Sequence, residues 1–183
     1  MGAVVLTALA YTWSAAVITV TTKENVNPPA GQTSLLQAMK AAKAGDTIAF
    51  NIPGTGPFYI ATPPEGYPLI TANGLTIDGY TQPGSSANTN PILGANNAKL
   101  AIVLDSRNGN FTSMNYQPDD SRGAGYDDSE FAILGVFRAE NVTIRGLSLL
   151  GKVPAEGDNS NYGISFARDR RINPVMPVRA VIV

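Results

Sequence analysis

The feature that most constrains this chain is a slip in its apolar rhythm. In NVTIRGLSLL, Asn141 to Leu150, Val142 and Ile144 alternate as in a half-buried strand, but the next apolar residues are Leu147 and Leu149. A straight strand would send the two pairs to opposite faces. Keeping all four on one side takes a bend at Arg145-Gly146, with the glycine adopting dihedrals that other residues avoid. A second stretch, NGLTIDGY from Asn73 to Tyr80, repeats the order apolar-Thr-Ile-charge-Gly and predicts the same bend at Asp78-Gly79. A polypeptide that turns such corners repeatedly, with its apolar residues inward, coils into a solenoid whose turns stabilise one another. The Asn that leads ENVTIRG is placed to turn its amide into a neighbouring bend.

The remaining chain fits many short strands. Eighteen glycines and thirteen prolines in 183 residues, scattered without a period, interrupt it too often for long helices. Strands are expected over 17–26, 46–52, 57–62, 74–79, 99–105, 131–137, 141–151 and 162–167, with Phe50, Phe58, Phe131 and Phe137 inside. The one helix is SLLQAMKAAKA, Ser34 to Ala44. Ser34 and Gln37 form a capping box, Leu35, Leu36, Met39 and Ala42 lie on one face, and Gly45 supplies the stop. A helix of about three turns is not stable alone in water. Its apolar stripe therefore covers something, and the exposed end of a β-stack is the natural client.

Several function classes are excluded by composition. The net charge of -1 and the absence of a basic patch argue against nucleic-acid binding. There is no Cys and no His, so disulfides, thiolate nucleophiles, Ser-His-Asp triads and the commonest transition-metal ligand are all missing. The apolar run within residues 1–16 is too short to span a bilayer and ends in Ser14, Ala15 and Ala16, so it reads as a signal peptide, although no Lys or Arg precedes Lys23. No membrane span is expected in the mature chain.

SLLQAMKAAKAGDTIAFNIPGTGPFYIATPPEGYPLITANGLTIDGYTQPGS resembles the N-terminal region of bacterial secreted right-handed parallel β-helix repeat proteins of the pectate-lyase-like superfamily. There, a capping helix precedes a TIxFxIPGxGP strand region and a TIDGTTQPG turn. ENVTIRGLSLLG is similar to their repeated rung. The resemblance implies an all-β, right-handed parallel β-helix with an N-terminal capping α-helix, the cap and first rungs spanning residues 17–169. Residues 170–183 depart from the pattern, and a fragment of a longer solenoid is the expectation. The superfamily contains lyases, hydrolases, adhesins and surface proteins, so fold alone does not choose a function.

The densest polar stretch is QPDDSRGAGYDDSE, with Asp119, Asp120, Asp127, Asp128 and Glu130 beside Tyr116 and Tyr126. These seven residues are the candidate binding site. Hard oxygen ligands at Asp127, Asp128 and Glu130 suit Ca²⁺, although the spacing is not that of an EF-hand and no cofactor is required. The resemblance implies a Lys or Arg base for lyase chemistry; Arg145 and Lys152 are the nearest candidates, and a solvated surface cation is the plainer reading of Arg145. Tyr59, Tyr67, Tyr80, Tyr116, Tyr126 and Tyr162 fall in or beside loops, where flat amphipathic rings suit stacking on sugars or protein contacts. The leading expectation is an exported, bacterial cell-surface or secreted β-helix segment that binds a polysaccharide or glycan or serves structurally. The alternatives are part of a polysaccharide lyase or glycoside hydrolase, and a truncated product without activity of its own. The oligomeric state is not legible.

Overall fold

The computed structural model describes residues 14–91, 93–108, 112–113, 131–151, 161–167 and 181–182. In chain order the elements are β1 (Val17–Val20), α1 (Leu35–Ala41), β2 (Thr47–Phe50), β3 (Phe58–Ala61), β4 (Thr76–Asp78), a 3₁₀ turn (Gly79–Thr81), β5 (Ile102–Asp105), β6 (Thr112–Ser113), β7 (Phe131–Phe137), β8 (Thr143–Arg145), β9 (Leu147–Leu150), β10 (Asn161–Ala167) and β11 (Val181–Ile182). Among the described residues the regular structure is mostly strand, with one α-helix.

The strands form three sheets, of order β1-β2-β4-β8-β11, β3-β5-β9 and β10-β7-β6. Every pairing is parallel except β6 with β7. Ile70 adds a parallel bridge to Val136 in the third sheet. The chain thus visits the sheets in a constant order. One circuit runs β2, β3, Ile70; the next β4, β5, β7; the third β8, β9, β10; and β11 returns to the first sheet.

Register places like on like. Thr47, Thr76 and Thr143 pair in sequence along the first sheet, and so do Ile48, Ile77 and Ile144, which are 0%, 0% and 3% exposed. In the second sheet Phe58 pairs with Ile102 and Ile102 with Leu147; Ile60, Leu104 and Leu149 repeat the arrangement two residues on. These columns join one apolar core, in which neighbouring circuits supply the contacts that a short strand cannot make for itself.

The corners stack as well. Gly45, Gly74 and Asn141 each stand two residues before the paired threonines, and all three have positive φ, of 81°, 70° and 56°. The Gly45 amide donates to the Asn73 carbonyl (2.8 Å), and the Gly74 amide donates to the Glu140 carbonyl (2.7 Å). The side chain that turns into a neighbouring bend belongs to Asn73, whose Oδ1 accepts from the Glu140 amide at 2.9 Å. Asn141 instead occupies the left-handed position that glycine fills in the other two circuits, a conformation Asn tolerates better than most residues.

At Ser34 the capping box is present: Oγ accepts from the Gln37 amide (3.1 Å), and Gln37 Oε1 accepts from the Ser34 amide (3.0 Å). Leu35, Ala38 and Met39 are buried in the core, and Leu36 and Ala42 are half-buried. Helix α1 is shorter than the sequence pattern predicts. It ends at Ala41, because the Lys43 amide donates to Asp46 Oδ2 (2.8 Å) and leaves the helical ladder; Gly45 is not its stop. The strand expected over 17–26 also ends early, at Val20, because the Thr21 amide turns to the Thr33 carbonyl (2.9 Å). Phe50 and Phe58 are buried as expected, whereas Phe137 is half-buried at the end of β7 under the Arg138 guanidinium, 4.9 Å from its ring. Among the described residues no helix is long and apolar enough to cross a membrane.

Candidate functional site

The repeated corner motif is the first place to look for chemistry, and its polar groups are engaged in structure. Asp78 pairs with Arg145 across the first sheet, and Arg145 Nη2 donates to Asp78 Oδ2 at 2.6 Å. Asp78 is 6% exposed, and the Arg145 side chain is 47% exposed. The hydrogen bond to Asp78, reinforced by its charge, raises the Arg145 pKa further, so the guanidinium is held in the protonated form that a general base must lose. The bend at Gly146 is as predicted, with φ +70° and β9 beginning at the next residue. The bend at Gly79 differs, because the chain enters a 3₁₀ turn whose first amide donor, Tyr80, is capped by Asp78 Oδ1 (3.0 Å).

The rest of the TQPG turn is also spoken for. Thr81 Oγ1 accepts from the Phe50 amide at 2.7 Å. Gln82, 1% exposed, accepts from the Ile52 amide through Oε1 (2.8 Å) and donates from Nε2 to the Ile52 carbonyl (3.0 Å). Two side chains thereby replace the strand that the first sheet lacks beyond Asp78, pairing the Phe50 amide and the Ile52 amide and carbonyl.

An accessible polar-aromatic surface lies instead on the outer side of the second sheet. Side chains alternate along β3, so Phe58 and Ile60 point inward while Tyr59 points out and is 50% exposed. Two grooves meet at Tyr59, of about 500 and 260 Å³, and Lys23, Glu24 and Tyr59 line both. The wall formed by residues 21–27 is held by Asn25, 6% exposed, whose Nδ2 donates to the Ala61 carbonyl and the Tyr67 hydroxyl, both at 2.7 Å. Asn25 Oδ1 accepts from the Leu36 amide at 3.0 Å, so one side chain ties the groove wall to β3, α1 and Tyr67.

On the neighbouring strand, Asp105 and Arg107 form a bidentate pair, Nε to Oδ1 at 2.9 Å and Nη2 to Oδ2 at 2.7 Å. The hydrogen bond from Arg107 holds the Asp105 carboxyl below the usual carboxylate range, outweighing the opposing effect of burial. Asp105 likewise raises the Arg107 pKa, through its hydrogen bond and its charge. The surface therefore presents a half-exposed ring beside a fixed planar ion pair, flanked by concave walls. Such an arrangement can stack on an apolar ring face while offering charged hydrogen-bond partners to hydroxyl groups.

Of the six tyrosines singled out by sequence, Tyr59 alone is shown as an exposed ring; Tyr80 is half-buried, and the side chains of Tyr116, Tyr126 and Tyr162 lie outside the described residues. Tyr67 is 2% exposed, and burial pushes its hydroxyl pKa up despite the Asn25 bond. It is a core residue, not a ligand platform. Asp119, Asp120, Asp127, Asp128, Glu130 and Lys152 also lie outside the described residues. Among the described residues no group of three or more Asp or Glu is arranged to hold a metal. Sequence reasoning missed Lys23, Glu24, Asp105 and Arg107; the only local sign was the Asp-x-Arg spacing after a predicted strand.

Comparison with known proteins finds no match, whether with a family model, a curated protein or a solved structure.

Proposed function

We propose that the chain forms a right-handed parallel β-helix exported to the bacterial cell surface or medium, and that it binds polysaccharide on the outer face of the second sheet. Support for the architecture comes from the constant order in which the chain visits three sheets, with apolar columns shared between circuits. One observation carries the binding role: Tyr59 is half-exposed between two grooves, and Asp105, held by Arg107, stands diagonally from it on the next strand. The ring supplies stacking area, the ion pair supplies directional donors and acceptors, and the Asn25-anchored wall limits how a sugar chain can lie.

Affinity electrophoresis through gels containing acidic or neutral polysaccharides tests this, with calorimetry on oligosaccharides of any retarding polymer. Tyr59→Ala is expected to weaken binding about tenfold with unchanged circular dichroism, since the side chain is outside the core. Asp105 has a lowered pKa, so the ion pair persists above the carboxylate range and is lost as pH falls through that pKa. Binding is expected to fall with it. Binding that is indifferent to Tyr59, or no retardation by any polymer, would remove the proposal.

A further inference from the structure

Residues 86–91 and 93–99 form a finger that the polysaccharide reading does not use. It is closed at its base by Ser86 and Lys99, whose amides donate to each other's carbonyls at 3.0 and 2.8 Å. Inside, asparagine side chains do the work of a backbone ladder. The Thr89 amide donates to Asn97 Oδ1 (2.9 Å), Asn97 Nδ2 donates to Thr89 Oγ1 (2.9 Å), and the Asn97 amide donates to Asn88 Oδ1 (3.2 Å). At the tip the Gly94 amide donates to the Pro91 carbonyl at 2.7 Å. At that tip Leu93 is 96% exposed, the most exposed of the large hydrophobic residues described. Residues 86–98 contain no Asp, Glu, Lys or Arg. A loop this braced has already lost much of the freedom that binding would otherwise remove.

The molecule also carries a concave counterpart. Beside α1 lies a groove of about 410 Å³ lined by Val26, Leu36, Tyr67 and three prolines, with Lys40 and Glu65 as its charges. Val26 there is 57% exposed. The finger feeds the N-terminal end of β5, whereas the segment forming the groove leaves the C-terminal end of β3. These strands are parallel and in register, so finger and groove stand at opposite ends of the second sheet. Leu93 does not reach its own groove, as its exposure shows.

We infer that the chain associates head to tail, with Leu93 of one copy seated in the groove beside α1 of the next. An exposed leucine tip and a groove at separate places on one surface give a heterologous contact, which leaves a free finger and a free groove on every pair and so passes on to further copies. The finger suits this groove in charge, because it brings no ion to be desolvated and the pocket's one cation and one anion balance. A lipid surface is a poorer fit, since no Lys or Arg in residues 86–98 offers an anionic headgroup a partner.

Sedimentation of the full chain tests the inference. Small interfaces are weak, so average mass is expected to rise between roughly 10 µM and 1 mM. Leu93→Asp and Val26→Glu, both at exposed positions, are each expected to leave the protein monomeric over that range. Mixed in equal amounts, these two variants retain one intact finger and one intact groove between them, and their mass is expected to level off at a dimer. Asn97→Ala, which loosens the finger but keeps its tip, is expected to weaken association roughly threefold. A monomer throughout, association that survives Leu93→Asp, or a mixture that stays monomeric would overturn head-to-tail contact. Leu93-dependent flotation of a monomer with phosphatidylcholine-phosphatidylglycerol vesicles would overturn it in favour of lipid.

Discussion

The corner at Gly79 and the corner at Gly146 carry one signature, Thr-Ile-charge-Gly, and lie directly on each other, yet the chain leaves them differently. From Gly146 it runs straight into β9, whereas from Gly79 it turns through a 3₁₀ segment and emits the long finger before β5 begins. The signature determines where a corner sits and what it stacks on. Its exit is decided by the residues that follow. Leu147, Leu149 and Leu150 find places in the second sheet, whereas Thr81 and Gln82 find partners on the backbone of the preceding circuit.

The largest effect that bears on this comparison comes from the glycines. A Cβ on Gly79 would collide with the Gly146 carbonyl, and one on Gly146 would collide with the Tyr80 amide and the Gly79 carbonyl carbon. Gly79→Ala and Gly146→Ala are each expected to lose about 4 kcal/mol or more in urea unfolding, because neither backbone can retreat without breaking the ladder. Gly74→Ala, with the same φ as Gly146 but its nearest atoms 3.5 Å away, is expected to lose about 1 kcal/mol. A mild Gly79→Ala would show that the two corners are not in contact.

The next effect separates the two exits. Gln82→Leu leaves the buried Ile52 amide and carbonyl unpaired and is expected to cost about 2–4 kcal/mol. Ser148, half-buried on the outer side of β9, has no such duty, and Ser148→Ala is expected to stay within about 0.5 kcal/mol. Equal costs would mean that the 3₁₀ exit is not held by its side chains.

The smallest effect is the ion pair that both corners share. A double-mutant cycle on Asp78 and Arg145 is expected to give a coupling of about 1 kcal/mol that declines with salt, since the guanidinium is half-exposed and screened. Zero coupling would make the two charges unrelated occupants of the same corner.

Much of this fold was legible in the sequence. The slip between Ile144 and Leu147 located the Gly146 bend, and the Ser34-Gln37 spacing located the helix start, because both rest on local periodicity. The boundary at Val20 was not legible, since the Thr21 amide is captured by Thr33, well along the chain; that at Ala41 is set locally, by the Asp46 side chain on the Lys43 amide, a capture that the Gly45 stop signal hid. The second corner was misread because Gln82 acts on Ile52, thirty residues away. The candidate site was largely hidden. Tyr59 and Tyr67 look alike in sequence, and what parts them is placement: Tyr59 falls on the outward phase of β3, whereas Tyr67 packs into the core with its hydroxyl on Asn25.

The passage from the first sheet to the second consumes a single residue at Gly146 and a stretch of some twenty between β4 and β5, yet Ile77 and Ile144, then Ile102 and Leu147, remain opposite each other. The ladders do not read the length of what joins them. New segments can therefore be grafted at this junction without retuning the interior, which makes it the place where such a scaffold acquires novelty by insertion and where an engineer could add a module.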